Sequence, residues 1–385
     1  MHILILPSAY PTEDAPLRST FFKEQAIALK EAGHEVGVIY SETRRITGIN
    51  FNSLKKFHFQ IEDKNEEGLN TIRLKGWNVF MMRNSIGINL WIKQTVKLFN
   101  IYIKKYGRPD LIHVHCGLYG GAAAALIKEK YNIPYIITEH SSQVLNGTMD
   151  EYHRGLLEKG YNKANYLISV GEKLKEKMKG YTNNKIEVIP NIVNTEKFIP
   201  NNKSEKGKFR FLSVSFLNPN KNVDLTIKAF SRAFKNKENV ELYIAGDGSE
   251  RLKLEALVKD LGVESKVKFL GKVRREDLPN FLNEGNAFVL PSKYETFGVV
   301  YIEALACGLP IITTKCGGPE DFYREDIGYM IDSPDEEALC EAMINIIKNK
   351  DKYDFIAMSK YVKNRFSKEV IVKKIEEIYE IILVN

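Results

Sequence analysis

Glu295 and Glu303 stand eight residues apart in the segment Tyr294-Glu295-Thr296-Phe297-Gly298-Val299-Val300-Tyr301-Ile302-Glu303-Ala304-Leu305-Ala306-Cys307-Gly308. The pattern predicts a small-residue loop bearing the first carboxylate and a helix, starting near Gly298, bearing the second. The first N–H groups of that helix, on Gly298, Val299 and Val300, have no intrahelical acceptor, and the positive end of the helix dipole faces the loop. A phosphate fits there. Glu295, just before the helix, can accept hydrogen bonds from sugar hydroxyls, and Glu303, more than a turn inside it, can hold a diol such as that of a ribose. The competing reading is an ordinary helix start, where acidic residues are common.

Short β-branched runs alternating with helical patterns position these groups, the rhythm of parallel sheets with crossover helices. In the first half the expected strands are Ile3-Leu6, Glu35-Tyr40, Leu111-His115, Tyr135-Thr138, Tyr166-Ser169 and Glu187-Ile189. In the second they are Arg210-Val214, Glu241-Ile244, Val267-Leu270, Ala287-Leu290 and Ile311-Thr313. In Leu111-Ile112-His113-Val114-His115, strand alternation places both histidines on one side, with His115 nearest the exit. Glu139-His140 leaves another buried strand at the equivalent end, where polar residues often face a ligand. Asn191 to Lys208, rich in Asn, Lys, Pro and Ser, reads as a linker. Gly246-Asp247-Gly248 is a strand-to-helix turn whose glycines can be purely conformational. Neither half has a Gly-x-Gly-x-x-Gly after its first strand, which counts against a nicotinamide dehydrogenase.

At 385 residues the chain exceeds what one core usually serves, so two domains are expected, 1–195 and 196–365. Hydrophobic residues at 44% and charged residues at 27% suit a well-packed soluble protein. The apolar start His2-Ile3-Leu4-Ile5-Leu6-Pro7 is too short for a signal-peptide core, and no apolar run is long enough to span a bilayer. Cys116, Cys307, Cys316 and Cys340 lack paired spacing, which argues against a zinc site or a disulfide framework and for a cytoplasmic location. Net charge is +7, and Leu69 to Pro109 contains no Asp or Glu while carrying Arg73, Lys75, Arg83, Lys93, Lys97, Lys104, Lys105 and Arg108. Trp77, Phe80, Met81, Met82, Trp91, Phe99 and Tyr102 are interleaved with them. That mixture suits an anionic membrane surface at the inner face of the plasma membrane; the alternative is a helix with its apolar side in the core and its lysines solvated.

The segment around Glu295 and Glu303, with Phe297-Gly298, Glu303-Ala304-Leu305-Ala306 and the Gly308-Leu309-Pro310 turn, resembles the donor-site signature of retaining glycosyltransferases of family 4, also called group 1. The resemblance implies an α/β fold of the GT-B type: two Rossmann-like domains with parallel sheets facing a central cleft, acceptor on the first and nucleotide sugar on the second. It also implies a C-terminal helix, 366–385, that packs back on the first domain. The activity implied is transfer of a hexosyl unit from a nucleoside diphosphate sugar to a glycan or polyprenyl-diphosphate-linked glycan, with retention, as in cell-surface polysaccharide biosynthesis. No metal or other cofactor is implied.

In that frame His115 matches the histidine beside the transferred sugar, and His140 and Glu139 line the same pocket. Glu295 orients the sugar, and Lys221 grips the diphosphate together with the helix end at Phe297, Gly298, Val299 and Val300. Glu303 holds the ribose. Gly246 walls the nucleotide, while Val273 and Arg274 fall in the segment whose backbone reads the base. The family pattern offers an Arg five positions before the Lys, but here Phe216 occupies that place. Either Lys221 then carries more of the load, or another group such as Arg274 or Lys293 substitutes. Other readings of the same features are a nucleotide-sugar epimerase, a phosphorylase, or an inactive nucleotide-binding partner of a membrane glycan assembly complex.

Overall fold

A computed structural model describes residues 1–44, 57–78, 85–201, 207–332 and 334–384. The chain divides into two units: Met1–Ile192 with Glu369–Asn385, and Val193–Lys368. Phe80, Met81, Met82 and Arg83 of the basic aromatic segment, and residues 202–206 of the expected linker, lie outside the described residues.

In the first unit the strands are β1 (His2–Pro7), β2 (Glu35–Arg44), β3 (Gln60–Glu66), β4 (Leu69–Trp77), β5 (Leu111–His115), β6 (Tyr135–Glu139), β7 (Tyr166–Ser169) and β8 (Ile186–Val188), in the order β3-β4-β2-β1-β5-β6-β7-β8. All pairs are parallel except β3 with β4. β1 lies between β2 and β5, so the strand order reverses there, and a ligand crevice forms outside the carboxyl ends at such a switch point. β1, β5 and β6 are near-continuous apolar runs because helices cover both faces. The helix Gly117–Tyr131 shows why its start is so small: a Cβ on Gly120 would sit 2.7 Å from Val114, and one on Gly121 would sit 3.2 Å from the backbone of Gly160. The C-terminal helix Lys368–Val384 buries Ile371, Ile375, Ile378 and Tyr379 in the same cluster as Ile3, Ile5, Val38 and Ile136.

In the second unit β9 (Phe209–Val214), β10 (Val240–Ala245), β11 (Val267–Gly271), β12 (Ala287–Val289), β13 (Ile311–Thr314) and β14 (Gly328–Ile331) form a wholly parallel sheet, order β11-β10-β9-β12-β13-β14. Its core joins Phe211, Leu242, Ile244, Val289 and Ile312 to Ile227, Phe230, Met343 and Ile346 of the covering helices. The switch point falls between β9 and β12, whose carboxyl ends lead to Lys221 and to Glu295.

The hairpin β3–β4 and the edge strand β14 have no counterpart in the sequence reading. β3 is charged along most of its length and carries no apolar alternation, and β4 lies in the stretch read for its basic residues. Its Arg73 and Lys75 are buried: Arg73 donates to both carboxylate oxygens of Glu66 at 2.7 Å and to the Pro11 carbonyl, and Lys75 pairs with Glu62 at 2.9 Å. The helix Ser85–Tyr106 turns Trp91, Phe99 and Tyr102 inward, with the Trp91 indole donating to the Ser41 carbonyl, and leaves Lys93, Lys97, Lys104 and Lys105 in solvent. The arrangement in this segment is thus largely that of an amphipathic helix on a core. Among the described residues, no helix is long and apolar enough to cross a membrane.

Candidate functional site

In the second unit two loops from sequence-distant strands are fastened together. After β9 the chain makes a short turn, Pro219–Lys221, whose Asn218 side chain accepts from the Asn220 N–H. Asn220 then clamps the loop after β12. Its carbonyl accepts from Lys293 N–H at 2.8 Å, its Nδ2 donates to the Tyr294 carbonyl at 3.0 Å, and its Oδ1 accepts from Tyr294 N–H. Asn222 adds a bond to the Pro291 carbonyl at 2.9 Å. This clamp brings Lys221 Nζ to 2.6 Å from Glu295 Oε1, an oxygen that also accepts from Ser292 Oγ at 2.7 Å. Both side chains are mostly covered, at 18% and 13% exposure, so the pair is less screened than a surface one. The charge of Glu295 reaches Cys316, whose thiol is pushed up to about 12, first by burial and then by that carboxylate.

The helix after Glu295 runs Val299–Ala306, with Gly298 as its cap at φ 88. Tyr301 N–H bonds the Gly298 carbonyl, and among the described residues no acceptor takes the N–H groups of Gly298, Val299 or Val300. All three residues are partly exposed. The helix start is therefore open, with Glu295 on the loop that leads into it and Lys221 on the loop clamped beside it.

Several expected roles need correction. Phe297 is 1% exposed and packs on Phe322 and Phe366, so its ring anchors the loop and does not meet a donor. Arg274 is 73% exposed and pairs with Glu276 and Asp277, so it does not replace the missing arginine. The adjacent Arg275 turns inward instead, placing its guanidinium 2.5 Å from Glu303, which is only 2% exposed. Sequence reasoning missed Arg275, since nothing in two consecutive arginines says which one faces the helix. Phe216 is 58% exposed at the end of β9, and Lys293 is also exposed. Gly246 sits at φ 136 under the Ser215 carbonyl, where a Cβ would fall 1.8 Å from that oxygen, and Val273 is partly exposed in the turn after β11.

In the first unit the carboxyl ends of β5 and β6 bring three imidazoles together. The His113 and His115 rings stack at 4.6 Å, and His115 Nδ1 lies 3.1 Å from His140 Nε2. Phe22 stacks on His115 at 4.6 Å and meets His140 edge-on at 4.7 Å. Burial depresses the His115 pKa to about 3; it also carries His113 and His140 well below the usual range, with the neighbouring histidines adding to the effect. All three are neutral at ordinary pH. One proton lies in the His115–His140 contact, and among the described residues His115 Nε2 and His140 Nδ1 are buried without a hydrogen-bond partner, one as donor and one as acceptor.

Glu139, expected in the same pocket, is fully buried and turned away from it. Its Oε1 accepts from the His140 and Ser141 N–H groups, and its Oε2 from Gly117 N–H and the Tyr161 hydroxyl. It fixes the exit of β6 to the two helices beside it, which is an anchoring role. Among the described residues there is no group of three His, Cys, Asp or Glu side chains that could hold a metal ion.

Two parallel α/β units, one with an open helix end beside a Lys–Glu pair and one with neutral imidazoles at its strand ends, define a GT-B glycosyltransferase in outline. Residues 19–197 match the profile of Glycosyltransferase Family 4, and residues 194–365 match that of Glycosyl transferases group 1. The chain belongs to this family and is a glycosyltransferase. It is 27% identical to a probable sucrose-phosphate synthase of Thermosipho melanesiensis, covering 91% of this chain and 88% of the relative. Among solved structures, sucrose-phosphate synthase from Thermosynechococcus elongatus superposes with a TM-score of 0.80 at 20% identity over the full length of both chains. HepE from Anabaena, in complex with UDP and glucose, superposes with a TM-score of 0.73 at 18% identity over 99% of each chain.

Proposed function

We propose that this glycosyltransferase moves a hexosyl unit from a nucleoside diphosphate sugar to a hydroxyl of a glycan or polyprenyl-diphosphate-linked glycan, with retention at the anomeric carbon. The observation that carries the reading is the Lys221–Glu295 pair beside the open N–H groups of Gly298, Val299 and Val300. A cation and a helix end together suit a diphosphate leaving group, whose developing charge needs preorganised positive partners. Glu295 Oε1 is taken by Lys221 and Ser292, so Oε2 is the oxygen that meets the sugar hydroxyls. Glu303 takes the ribose diol beside Arg275. His115 offers its Nε2 to a hydroxyl of the transferred sugar, and His140 sets which tautomer it offers. HepE was solved with UDP and glucose, which fits a donor of this class.

In the reaction the bond from the anomeric carbon to the diphosphate oxygen breaks, and a bond to the acceptor oxygen forms on the same face. The acceptor proton passes to the departing phosphate oxygen, so no covalent sugar–enzyme intermediate is required. The electrostatic work falls to Lys221 and the helix end, because Phe216 brings no charge. The reading includes no metal, and turnover is expected to continue in EDTA. The test is to screen UDP-, GDP- and ADP-sugars by thermal shift, then follow the anomeric configuration of the product by NMR. Ligand binding to the native state raises apparent stability, so a donor is found before the acceptor is known. An inverted product overturns the retaining reading, and transfer by Glu295→Ala at the rate of the native protein overturns the assignment of that carboxylate.

A cytoplasmic enzyme acting on a lipid-linked glycan works at a membrane surface. The groups in the basic segment available for this are the exposed Lys93, Lys97 and Lys104 of one helix, with Ile86 at its start, since Lys105 is paired with Asp63.

A further inference from the structure

His113 has no role in the site reading above, yet both of its ring nitrogens are held. It is fully buried, its Nε2 lies 2.7 Å from Thr138 Oγ1, and its Nδ1 lies 2.6 Å from the hydroxyl of Tyr379. Tyr379 comes from the C-terminal helix, 266 residues further along the chain, and meets the His113 ring edge-on at 5.8 Å with an interplanar angle of 88°. It is itself fully buried.

The hydrogens can be counted. A neutral imidazole has one N–H and one lone pair. Neither the Tyr379 nor the Thr138 hydroxyl has another acceptor among the described residues, so either tautomer leaves one hydroxyl proton unpaired, and the Tyr379 phenol, far more acidic than an alkanol, is the stronger donor. It therefore donates to Nδ1, and the ring proton sits on Nε2, donating to Thr138. This assignment fixes one tautomer and, through two bonds at opposite ends of the ring, one ring plane. The His115 ring lies against that plane at 4.6 Å and 17°, with Phe22 stacked on it as well. His115 thus inherits its orientation from the layer beneath it, and its Nε2 is buried without a partner among the described residues.

We propose that Tyr379 is a positioning residue for the sugar site: from the C-terminal helix it fixes the plane and tautomer of His113, and so the direction in which His115 presents Nε2. The proposal rests on the sugar-contact reading of His115. It makes the C-terminal helix part of the apparatus that aims the histidine, beyond its packing through Ile371, Ile375 and Ile378.

The experiment compares Tyr379→Phe, Ile375→Ala and His115→Ala in the full chain. Its readouts are donor turnover, thermal melting and long-range 1H–15N imidazole spectra. Tyr379→Phe keeps the ring and removes only the donor; it is expected to lower kcat about tenfold with donor KM within about twofold, the cost of a misaimed group. Its His113 signals should move from a single Nε2–H pattern to a mixture. Ile375→Ala, which loosens the helix but keeps the hydroxyl, should melt lower with kcat within about twofold of the native value. A Tyr379→Phe enzyme with native kcat or an unchanged His113 pattern overturns the proposal. So does an Ile375→Ala enzyme slowed as much as Tyr379→Phe, because helix docking alone would then explain the effect. If His115→Ala turns over at the native rate, the sugar-contact reading fails first; if His115→Ala is slow and Tyr379→Phe is not, only the role of Tyr379 fails.

Discussion

Lys221 Nζ and Glu295 Oε1 lie 2.6 Å apart across 74 residues of sequence, held there by the Asn220 clamp. The two groups proposed to meet different ends of the donor therefore restrain each other before it arrives. Lys221 has a flexible four-carbon stem, and the carboxylate fixes where its charge sits. Lys221→Ala is expected to lower kcat by about 10²- to 10³-fold, the usual loss on removing one preorganised charge partner. Glu295→Ala should lower it too, by losing the sugar contact and by freeing Lys221. The double variant should then fall short of the sum by roughly 0.5–3 kcal/mol, as for groups in contact. Strict additivity in steady-state kinetics would mean that the pair has no joint role.

Gly298 caps the donor helix at φ 88, and a Cβ there would sit 2.6 Å from Tyr301 Cδ2. Tyr301 cannot yield easily, because it is fully buried and its hydroxyl donates to the Leu290 carbonyl at 2.7 Å. Gly298→Ala should cost about 1–3 kcal/mol of stability through backbone strain and crowding. It should also shrink the thermal shift produced by the binding nucleotide, since the N–H groups of Val299 and Val300 move with the cap. A native-sized shift in a destabilised protein would separate the helix end from nucleotide binding.

The buried histidines make stability fall on the acid side. The pKa of His115 is held near 3 in the folded protein, and His113 and His140 are also depressed. Near neutral pH both folded and unfolded states are unprotonated at these positions, so they add no pH dependence. Below the ordinary histidine value of about 6.5 the unfolded chain takes up protons that the native state refuses, and stability drops with each unit. For His115 alone the loss is about 1.4 kcal/mol one unit below that value, growing until the pH nears 3. Denaturant melts at pH 7 and 5.5 should show this slope, and His115→Asn should reduce it. A flat profile would mean that the imidazoles reach solvent.

The strand rhythm was legible because buried parallel strands are rich in apolar residues, and each expected strand lies within one residue of the observed one at both ends except β2, which runs on past Tyr40 to Arg44. The hairpin β3–β4 was not, because β3 has no apolar alternation and the buried Arg73 and Lys75 of β4, paired with Glu66 and Glu62, read as surface charge. Glu295 was legible as a carboxylate just before a helix and Lys221 through the family resemblance, while their contact was not, since it depends on Asn220 bonding a distant loop. Arg274 and Arg275 illustrate the limit of residue type: only the turn after β11 decides which one faces Glu303. Glu139 was likewise read as a pocket residue because a carboxylate at a strand exit has two directions open to it, and four donors, three of them buried, draw it inward.

Membrane binding has a quantitative consequence. If the exposed lysines of Ser85–Tyr106 meet anionic lipid, each contributes about 1 kcal/mol near the surface, and salt screens it. Vesicles of phosphatidylglycerol and phosphatidylcholine should float the protein at low salt and release it at high salt. Lys93→Glu with Lys97→Glu should abolish flotation without changing the fold, because both side chains are in solvent. No flotation at low salt would reduce this face to ordinary surface.

Glu303 tests the nucleotide end of the site. Its carboxylate is 3% exposed with the Arg275 guanidinium 2.5 Å away, and that guanidinium also lies 5.0 Å from the Phe198 ring. Removing one partner of such a pair leaves a charge in a poorly solvated place, so Arg275→Met should lose about 3 kcal/mol of stability. Adding Glu303→Gln in that background should recover much of it, since the uncompensated charge is gone. A ribose diol donating to Glu303 would replace part of what Arg275 supplied. The thermal shift from the binding nucleotide should then be larger in Arg275→Met than in the native protein, and the difference should vanish with the 2′,3′-dideoxy nucleotide, which has no diol to donate. Equal shifts for the two nucleotides in Arg275→Met would place the ribose elsewhere and leave Glu303 and Arg275 as a purely internal pair.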